Sequence, residues 1–568
     1  MKKLPIGVQT FKKIIEGGYA YADKTKFVYD LACSNTAYFL SRPRRFGKSL
    51  LLNTFKALFS GPPNPDGPPQ GLFADLWIGR ESDYDFTQTH PVITFSMSSD
   101  SDSPADLRES ILKKLDEINQ SEQLGLNISL PATDLFLLIK RLKEKYDKEV
   151  VVLIDEYDAP VSGNIDNPDL ALKNRDILRN FYSGFKDTDE FLRFVFVTGV
   201  TRYVFMGLSA GLNHLMDLTL ESKYANICGF TLQELKHCFA NRLPALLRAM
   251  KKAGNMPKNA TLKDMWREIG LWYDGYSWDG KNRLYNPYSL LNLFRGESFE
   301  SFWMNQDPSA KTLSNILAKD PLAITGDRFK NLTTTQIGLA EVGSLAPVPA
   351  LFQTGMLTID EINYNNDRSK LFTLRLPNKE ISPNFYSKFS SSLNKYFNIS
   401  PKTKSSNFLN YLKNNDEKNL STLINSIFGS IPAIHHRARE SYYHSVLHGY
   451  LYDMPGAVIS LAEHPGSIGT PDIVIIFNDG ARAVIELKYE TSDDDDPGND
   501  ENELAGRKTR TGPSEEEIRK ILTKLALLAL DAIENKKYAQ PYEGQAKDII
   551  KIGLGIYGRG RSLAIIKR

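Results

Sequence analysis

Apolar positions along the 568-residue chain change their period twice. From residue 36 to about 230, short apolar runs alternate with segments of helical spacing. "TAYFLS" (36–41), "PVITFSM" (91–97), "VVVLIDEY" (150–157) and "FLRFVFVTG" (191–199) are β-branched or aromatic, short and bounded by breakers, which predicts buried strands. Between them, "KSLLLNTFKALFS" puts Leu51, Phe55, Leu58 and Phe59 on one helical face, and "LFLLIKRLKEKY" shows helical spacing too. Strands alternating with helices predict a parallel sheet with helices on both faces.

From about 231 to 390 the pattern is mostly helical and irregular, with aromatic clusters such as "WYDGYSWDG" (272–280). It reads as a helical lid and connector, in which "PALFQTGMLTIDEI" (349–362) fits a helix and strand of a winged-helix-like unit. From about 400 a second α/β pattern follows. A helix around 434–452 precedes "AVISLAEHP" (457–465), "PDIVIIFND" (471–479) and "ARAVIELKYE" (481–490), the last two forming a hairpin turned at Asn478-Asp479-Gly480. The helix "EIRKILTKLALLALDAIENKKY" and a last strand, "IIKIGLGIYG", close it. The acidic, Pro/Gly-containing stretch 491–517 has few apolar residues and reads as a mobile surface loop. The expected organisation is 1–230, 231–390 and 391–568.

Composition adds exclusions rather than an identity. With 41% hydrophobic and 24% charged residues, the chain has an ordinary globular composition. A net charge of +2 does not announce a nucleic-acid partner, so any such surface is a local patch. Cys33, Cys228 and Cys238 are widely spaced, which points away from a disulfide framework or zinc site and toward a reducing, cytoplasmic setting. No apolar run reaches the roughly 18 residues of a membrane span.

The first chemical signal is "FLSRPRRFGKSLLLNTF" (39–55), where Gly47, Lys48 and Ser49 match the end of a G-x-x-x-x-G-K-[ST] phosphate loop and Arg42 stands where the first glycine is expected. Such a loop needs converging backbone N–H groups, a helix N-terminus aimed at the anion, a lysine for the β/γ-phosphates and a hydroxyl for Mg²⁺. About 100 residues on, "VVVLIDE" ends in Asp155-Glu156, the form of a Walker B strand. Asp155 is expected in the Mg²⁺ shell with Ser49, and Glu156 beside the attacking water. Thr198, at the end of "FVFVTG", is a candidate γ-phosphate sensor and Arg202 a weaker one; a surface turn with a solvated arginine explains the same residues.

"YADKT" (21–25), "RPRRFGKSL" (42–50), "LIDEYDAP" (153–160) and "TGVTR" (198–202) together resemble the AAA-ATPase-like family of bacterial proteins. "CGFTLQEL" (228–235) and "WYDGYSWDGKNRLYNPYSLLN" (272–292) extend the resemblance over most of residues 5–300. It implies that arginine is the usual residue at position 42, so the loop is a working variant. It also implies an ATP site formed by Arg44, Arg45, Phe46, Gly47, Lys48, Ser49, Leu50, Asp155 and Thr198. Arg42, Arg44 or Arg45 is expected to contact phosphate or a neighbouring acid, and Pro43 to stiffen the loop.

Members of that family are commonly fused to a PD-(D/E)XK-type nuclease domain, and "TPDIVIIFNDGARAVIELKYE" (470–490) has the corresponding residues. Asp472 begins one strand, a tight turn follows, and Glu486 and Lys488, two apart, project from one face of the next. Two such carboxylates suit Mg²⁺, and the lysine suits a scissile phosphate or its water. In nuclease domains that residues 430–560 resemble, a first-helix glutamate often approaches the metal, so Glu440 is expected as an auxiliary ligand, with His444 supporting it. His448 shares their face. The helix position that usually carries glutamine there is Ala532.

The expected fold is therefore α/β: an AAA-like P-loop domain with a helical lid, then a PD-(D/E)XK nuclease-like domain. The favoured function is ATP-gated, Mg²⁺-dependent cleavage of nucleic acid, DNA foremost, in mobile-element defence or maintenance, with a homo-oligomer as a further expectation. The alternatives are an ATP-driven switch whose C-terminal domain binds nucleic acid or protein without cutting, and a plain nucleotide-binding scaffold.

Overall fold

A computed structural model describes residues 1–34, 37–61, 70–97, 103–164, 167–202, 215–304, 309–319, 329–338, 346–396, 401–429, 431, 439–451, 457–460, 471–477, 479–492, 513–544 and 546–568. Asn478 of the expected turn, Glu463 of the expected strand segment "AVISLAEHP" and most of the acidic stretch 491–517 lie outside them. The chain divides into two compact units: Met1–Leu313 with Phe329–Ser382, and Ser314–Arg328 with Pro383–Arg568.

The first unit is built on a five-stranded sheet of β1 (Ala37–Ser41), β2 (Val92–Ser96), β3 (Val150–Asp155), β4 (Leu192–Gly199) and β5 (Leu215–Asp217). Their order is β2-β3-β4-β1-β5, and every pairing is parallel. Four strands coincide with the apolar runs read from the sequence; β5, three residues long, was not anticipated. Val150, Val152 and Ile154 face a core of Leu135, Leu138 and Ile139 from the Pro131–Tyr146 helix and Leu178 and Phe181 from the Pro168–Tyr182 helix. The strands are apolar on both faces because helices cover both. A strand order in which β4 separates β1 from β3 leaves a crevice at their C-terminal ends, where this class of sheet binds ligands.

Residues 231–296 form four main helices, Leu232–Phe239, Leu243–Lys252, Leu262–Tyr273 and Pro287–Gly296. Their core also takes in Ala20 and Ala22 and packs against Leu4 and Ile6, so this region is stitched to the chain's N-terminal segment. Further on, the Pro347–Gln353 helix precedes an antiparallel pair, β6 (Thr358–Tyr364) and β7 (Lys370–Arg375).

Glu380 in this unit is a fully buried carboxylate. Glu380 Oε1 accepts from Ser289 Oγ (2.7 Å) and from the Trp303 backbone N–H (2.8 Å), while Oε2 has no partner among the described residues. Burial pushes its pKa from 4.5 up to about 7, and its ionisable neighbour is the Tyr273 phenol. A raised acid pKa stabilises the fold fully below pH 4.5, and that contribution is lost as pH rises through 7. Urea melts of wild type and Glu380→Gln should therefore diverge, the wild type losing about 3 kcal/mol relative to the variant between pH 4.5 and 8. Parallel pH curves would show that burial leaves this carboxylate with its ordinary pKa.

The second unit carries β8 (Ala457–Ser460), β9 (Ile473–Phe477), β10 (Arg482–Glu490), β11 (Ile549–Tyr557) and β12 (Arg561–Lys567) in the order β12-β11-β10-β9-β8. β8, β9 and β10 form an antiparallel meander. The Glu515–Asn535 helix then crosses over to place β11 parallel to β10, and β12 returns antiparallel. Gly553 lets this helix lie directly on β11, since a Cβ there would sit 2.0 Å from the Ala526 carbonyl oxygen. The Glu440–Leu451 helix precedes the meander. Among the described residues no helix is long and apolar enough to cross a membrane.

Candidate functional site

The loop after β1 is held from behind by Arg42. Its guanidinium is fully buried and donates to the carbonyls of Ser41 (2.9 Å), Thr219 (3.0 Å) and Tyr224 (3.2 Å). It also stacks over the Trp278 ring at 4.2 Å. Burial pulls its pKa down to about 10, still far above neutrality. Arg42 thus braces the loop through backbone carbonyls, in place of the phosphate or acid contact suggested by the sequence.

Phe46 is the second anchor, packed edge-on against Tyr276 and Trp278 at 4.8 and 5.3 Å. Its carbonyl accepts from Gly229 N–H at 3.1 Å. "CGFTLQEL" and "WYDGYSWDG" are therefore the buttress of the phosphate loop. "YADKT" joins the same body: Lys24 pairs with Glu234 at 2.6 Å, and Glu234 completes the capping box of Thr231. In the second motif, Asp279 shapes the turn by accepting from the N–H groups of Lys281 (3.0 Å) and Asn282 (2.8 Å).

On this foundation Gly47, at φ 96°, starts the Lys48–Ser60 helix, with Ser49 and Leu50 in its first turn. Arg45 also has positive φ (67°), and its guanidinium lies 3.9 Å from the Tyr288 ring. Lys48 is buried, its ammonium folded onto the carbonyls of Arg42 (2.9 Å) and Pro43 (3.0 Å). Desolvation lowers its pKa, partly countered by the charges of Asp155, Asp158 and Glu156.

Asp155 ends β3 across from this lysine. Its Oδ1 accepts from Thr198 Oγ1 (2.6 Å) and from Glu156 N–H (3.0 Å). Thr198 is itself fully buried, so its hydroxyl fixes Asp155. Glu156 has φ 52°, a conformation that non-glycine residues rarely adopt and that clusters at functional sites. Its carboxyl keeps contact with solvent, yet desolvation, then the Asp155 charge, raises its pKa, with Lys48 and Arg44 opposing. Asp158 accepts from the N–H groups of Val200 (3.1 Å) and Thr201 (2.8 Å), tying the loop after β4 to the loop after β3. A Cβ at Gly199 would lie 2.5 Å from that carboxylate and from the Tyr157 ring. Arg202 pairs with Asp217 on β5 and its backbone N–H donates to Gln353 Oε1 at 3.2 Å, so it is committed to packing in this state.

The second constellation lies on β9 and β10. Leu487 N–H donates to Asp472 Oδ2 at 2.7 Å, bringing that carboxylate alongside β10. Glu486 is buried, with Oε1 3.4 Å from Lys488 Nζ and Oε2 without a partner among the described residues. Desolvation, followed by the Asp472 charge, pushes its pKa up to about 7. Lys488 Nζ also donates to Glu440 Oε1 (3.3 Å) and the Leu487 carbonyl (2.7 Å), and Tyr489 N–H donates to Glu440 Oε2 (3.2 Å). Glu440 is thus drawn to Lys488. The His444 Nε2 is 2.8 Å from the Asp472 carbonyl oxygen, and His448 is buried against Tyr386, 4.1 Å between rings. Burial, then the neighbouring His444, holds His448 well below the usual histidine pKa. Among the described residues, no three His, Cys, Asp or Glu side chains are grouped to hold a metal.

Sequence reasoning missed Thr219, Tyr276, Trp278 and Asp158 as parts of the first site. The dense aromatic run at 272–280 signalled Tyr276 and Trp278, and "LIDEYDAP" held Asp158 without showing its role.

A family model described as a predicted AAA-ATPase matches residues 5–209. A relative from Azotobacter chroococcum mcd 1, named for its place in the vnfD 5' region, is 34% identical over 493 residues, 84% of this chain and 87% of its own. A structure of Drosophila ORC bound to GC-rich DNA and Cdc6 aligns at 13% identity, over 50% of this chain and 93% of that one, with a TM-score of only 0.19. With a buttressed G-K-S loop facing Asp155-Glu156 over a parallel sheet, and a relative matched over most of both chains, this protein belongs to the AAA-ATPase-like family of predicted AAA-ATPases.

Proposed function

We propose that the protein hydrolyses ATP in its first unit and uses nucleotide state to gate metal-dependent phosphodiester cleavage of DNA in its second. The observation that carries the nuclease half is Glu486: a buried carboxylate with an unpartnered oxygen, beside Asp472 and Lys488 on adjacent strands. A buried carboxyl with no partner is costly unless a cation or proton meets it. The helix, antiparallel meander, crossover helix and parallel strand around it agree with the PD-(D/E)XK resemblance of the sequence.

The residues fit two Mg²⁺ positions: Ser49 with Asp155, whose Oδ1 is fixed by Thr198 and the Glu156 N–H, and Asp472 with Glu486, whose Oε2 has no partner among the described residues. Bound there, Mg²⁺ would neutralise phosphate charge in the first unit and lower the pKa of a water in the second. In the first unit Lys48 neutralises the β- and γ-phosphates, the N–H groups of residues 44–49 orient them, and Glu156 accepts the proton of the attacking water. Its raised pKa makes it a better base than an ordinary carboxylate. In the second unit Lys488, steadied by Glu440, offers its ammonium to the scissile phosphate.

The test uses the full chain with Mg²⁺ or Mn²⁺ on single- and double-stranded DNA and RNA. Each substrate is given with ATP, with a non-hydrolysable analogue and without nucleotide. Cleavage that changes with nucleotide and disappears in Glu486→Ala is expected. ATP turnover with no cleavage of any substrate would favour the second reading, a switch that binds without cutting. Ala532 at the position usually held by glutamine and the lack of a three-ligand group among the described residues favour that reading.

A further inference from the structure

We propose that the first turn of the Pro287–Gly296 helix reports occupancy of the phosphate loop to the segments that lead out of the first unit, with Tyr288, Ser289 and Glu380 as positioning residues. The inference rests on the loop binding nucleotide, as proposed above.

Tyr288 and Ser289 are neighbours with opposite commitments. The Tyr288 ring lies under the Arg45 guanidinium of the phosphate loop, 3.9 Å away. Ser289, fully buried, donates to Glu380 Oε1 at 2.7 Å. Asn286 Oδ1 accepts from both their backbone N–H groups, at 2.9 and 3.3 Å, so the turn moves as one body.

Glu380 gathers two exits of the chain. The same Oε1 accepts from Trp303 N–H, ten residues before the first unit gives way at Leu313. The Glu380 carbonyl also accepts from Ser301 Oγ at 2.9 Å. Glu380 itself stands two residues before the other exit, Ser382. The segment leading to it is fastened along the end of the Leu262–Tyr273 helix: Lys379 N–H donates to the Leu271 carbonyl (2.9 Å) and Asn378 Nδ2 to that of Asp274 (2.7 Å).

A nucleotide polyphosphate offers Arg45 a charge-assisted, bidentate partner that a tyrosine face does not match. When Arg45 turns to phosphate, Tyr288 loses its cation and the capped turn resettles. Ser289 carries that shift to Glu380 Oε1 and so to the Trp303 N–H that shares this oxygen.

Hydrogen exchange on the full chain, with and without a non-hydrolysable ATP analogue and Mg²⁺, reads this directly in peptides covering 299–304 and 378–382. In wild type the analogue is expected to change exchange there by at least threefold. Glu380→Gln, which keeps the Oε1 acceptor, should preserve the response. Ser289→Ala and Glu380→Leu should lose it while binding the analogue within threefold of wild type. Ser289→Ala, the milder change, decides the matter if Glu380→Leu does not fold. An undiminished response in Ser289→Ala, or no response in saturated wild type, would overturn the coupling. A wild type that binds no analogue in a separate titration would instead overturn the nucleotide reading beneath it.

Discussion

Glu156→Gln is expected to lower the turnover of ATP by roughly a thousandfold, within the range that a positioned general base supplies, and to leave nucleotide affinity within threefold. Glutamine keeps the size and polarity of the side chain but takes no proton. The backbone argues for the role: φ 52° at Glu156 is held by Glu156 N–H on Asp155 Oδ1 and by Tyr157 N–H on the Thr198 carbonyl at 3.0 Å. The carboxylate stands within electrostatic reach of Lys48 and Arg44 on the lysine loop. Desolvation and Asp155 raise its pKa, so the acid limb of the pH–rate profile should lie above that of an ordinary glutamate, activity falling as pH drops through the raised value. Steady-state turnover and equilibrium binding of a fluorescent ATP analogue measure the two quantities. A variant that retains a tenth of wild-type turnover would remove Glu156 from the chemistry.

Arg42→Gly, which restores the glycine of an ordinary phosphate loop, is expected to damage the protein by about 4 kcal/mol. The change takes the guanidinium donor from the buried carbonyls of Ser41, Thr219 and Tyr224, strips the cation from the Trp278 face and opens a void behind the loop. Arg42→Lys should recover only part of the loss, because an ammonium lacks the planar fork that reaches those carbonyls while stacking. Thermal unfolding should show the first unit melting roughly 10 °C lower, taking each kcal/mol as about 2–4 °C. Nucleotide affinity should fall with it, since Phe46 and Lys48 hang from the same brace. A glycine variant as stable as wild type would mean that the loop holds its own shape.

What the sequence disclosed and what it withheld follow the distance over which each feature is decided. Gly47-Lys48-Ser49 between an apolar run and an amphipathic segment, and two carboxylates ending "VVVLID", are local patterns, and the strand and helix around them are where periodicity put them. β5 has only Leu215, Met216 and Asp217 to announce it and owes its place to β1. β12 begins and ends with charged residues, Arg561 and Lys567, which hid its alternation. The work of Arg42 was illegible because its partners at 219 and 224 lie some 180 residues away. The pairing of Glu440 with Lys488 was hidden likewise: helical spacing grouped Glu440 with His444 and His448, while the fold brings it to β10.

The pairing of β1 with β4 sets a timetable for the nascent chain. β1 is complete at Ser41, yet its partner begins at Leu192 and its other neighbour at Leu215. At ribosomal rates of roughly 5–20 residues per second, Tyr38, Phe39 and Leu40 wait on the order of ten to thirty seconds for the strand that shelters them. β2 and β3, neighbours in the sheet and nearer in sequence, can meet earlier, leaving an open edge at the position β4 will fill. Chains released before residue 192 therefore carry an apolar strand with nowhere to pair, and chaperones and proteases, rather than folding, decide what becomes of them.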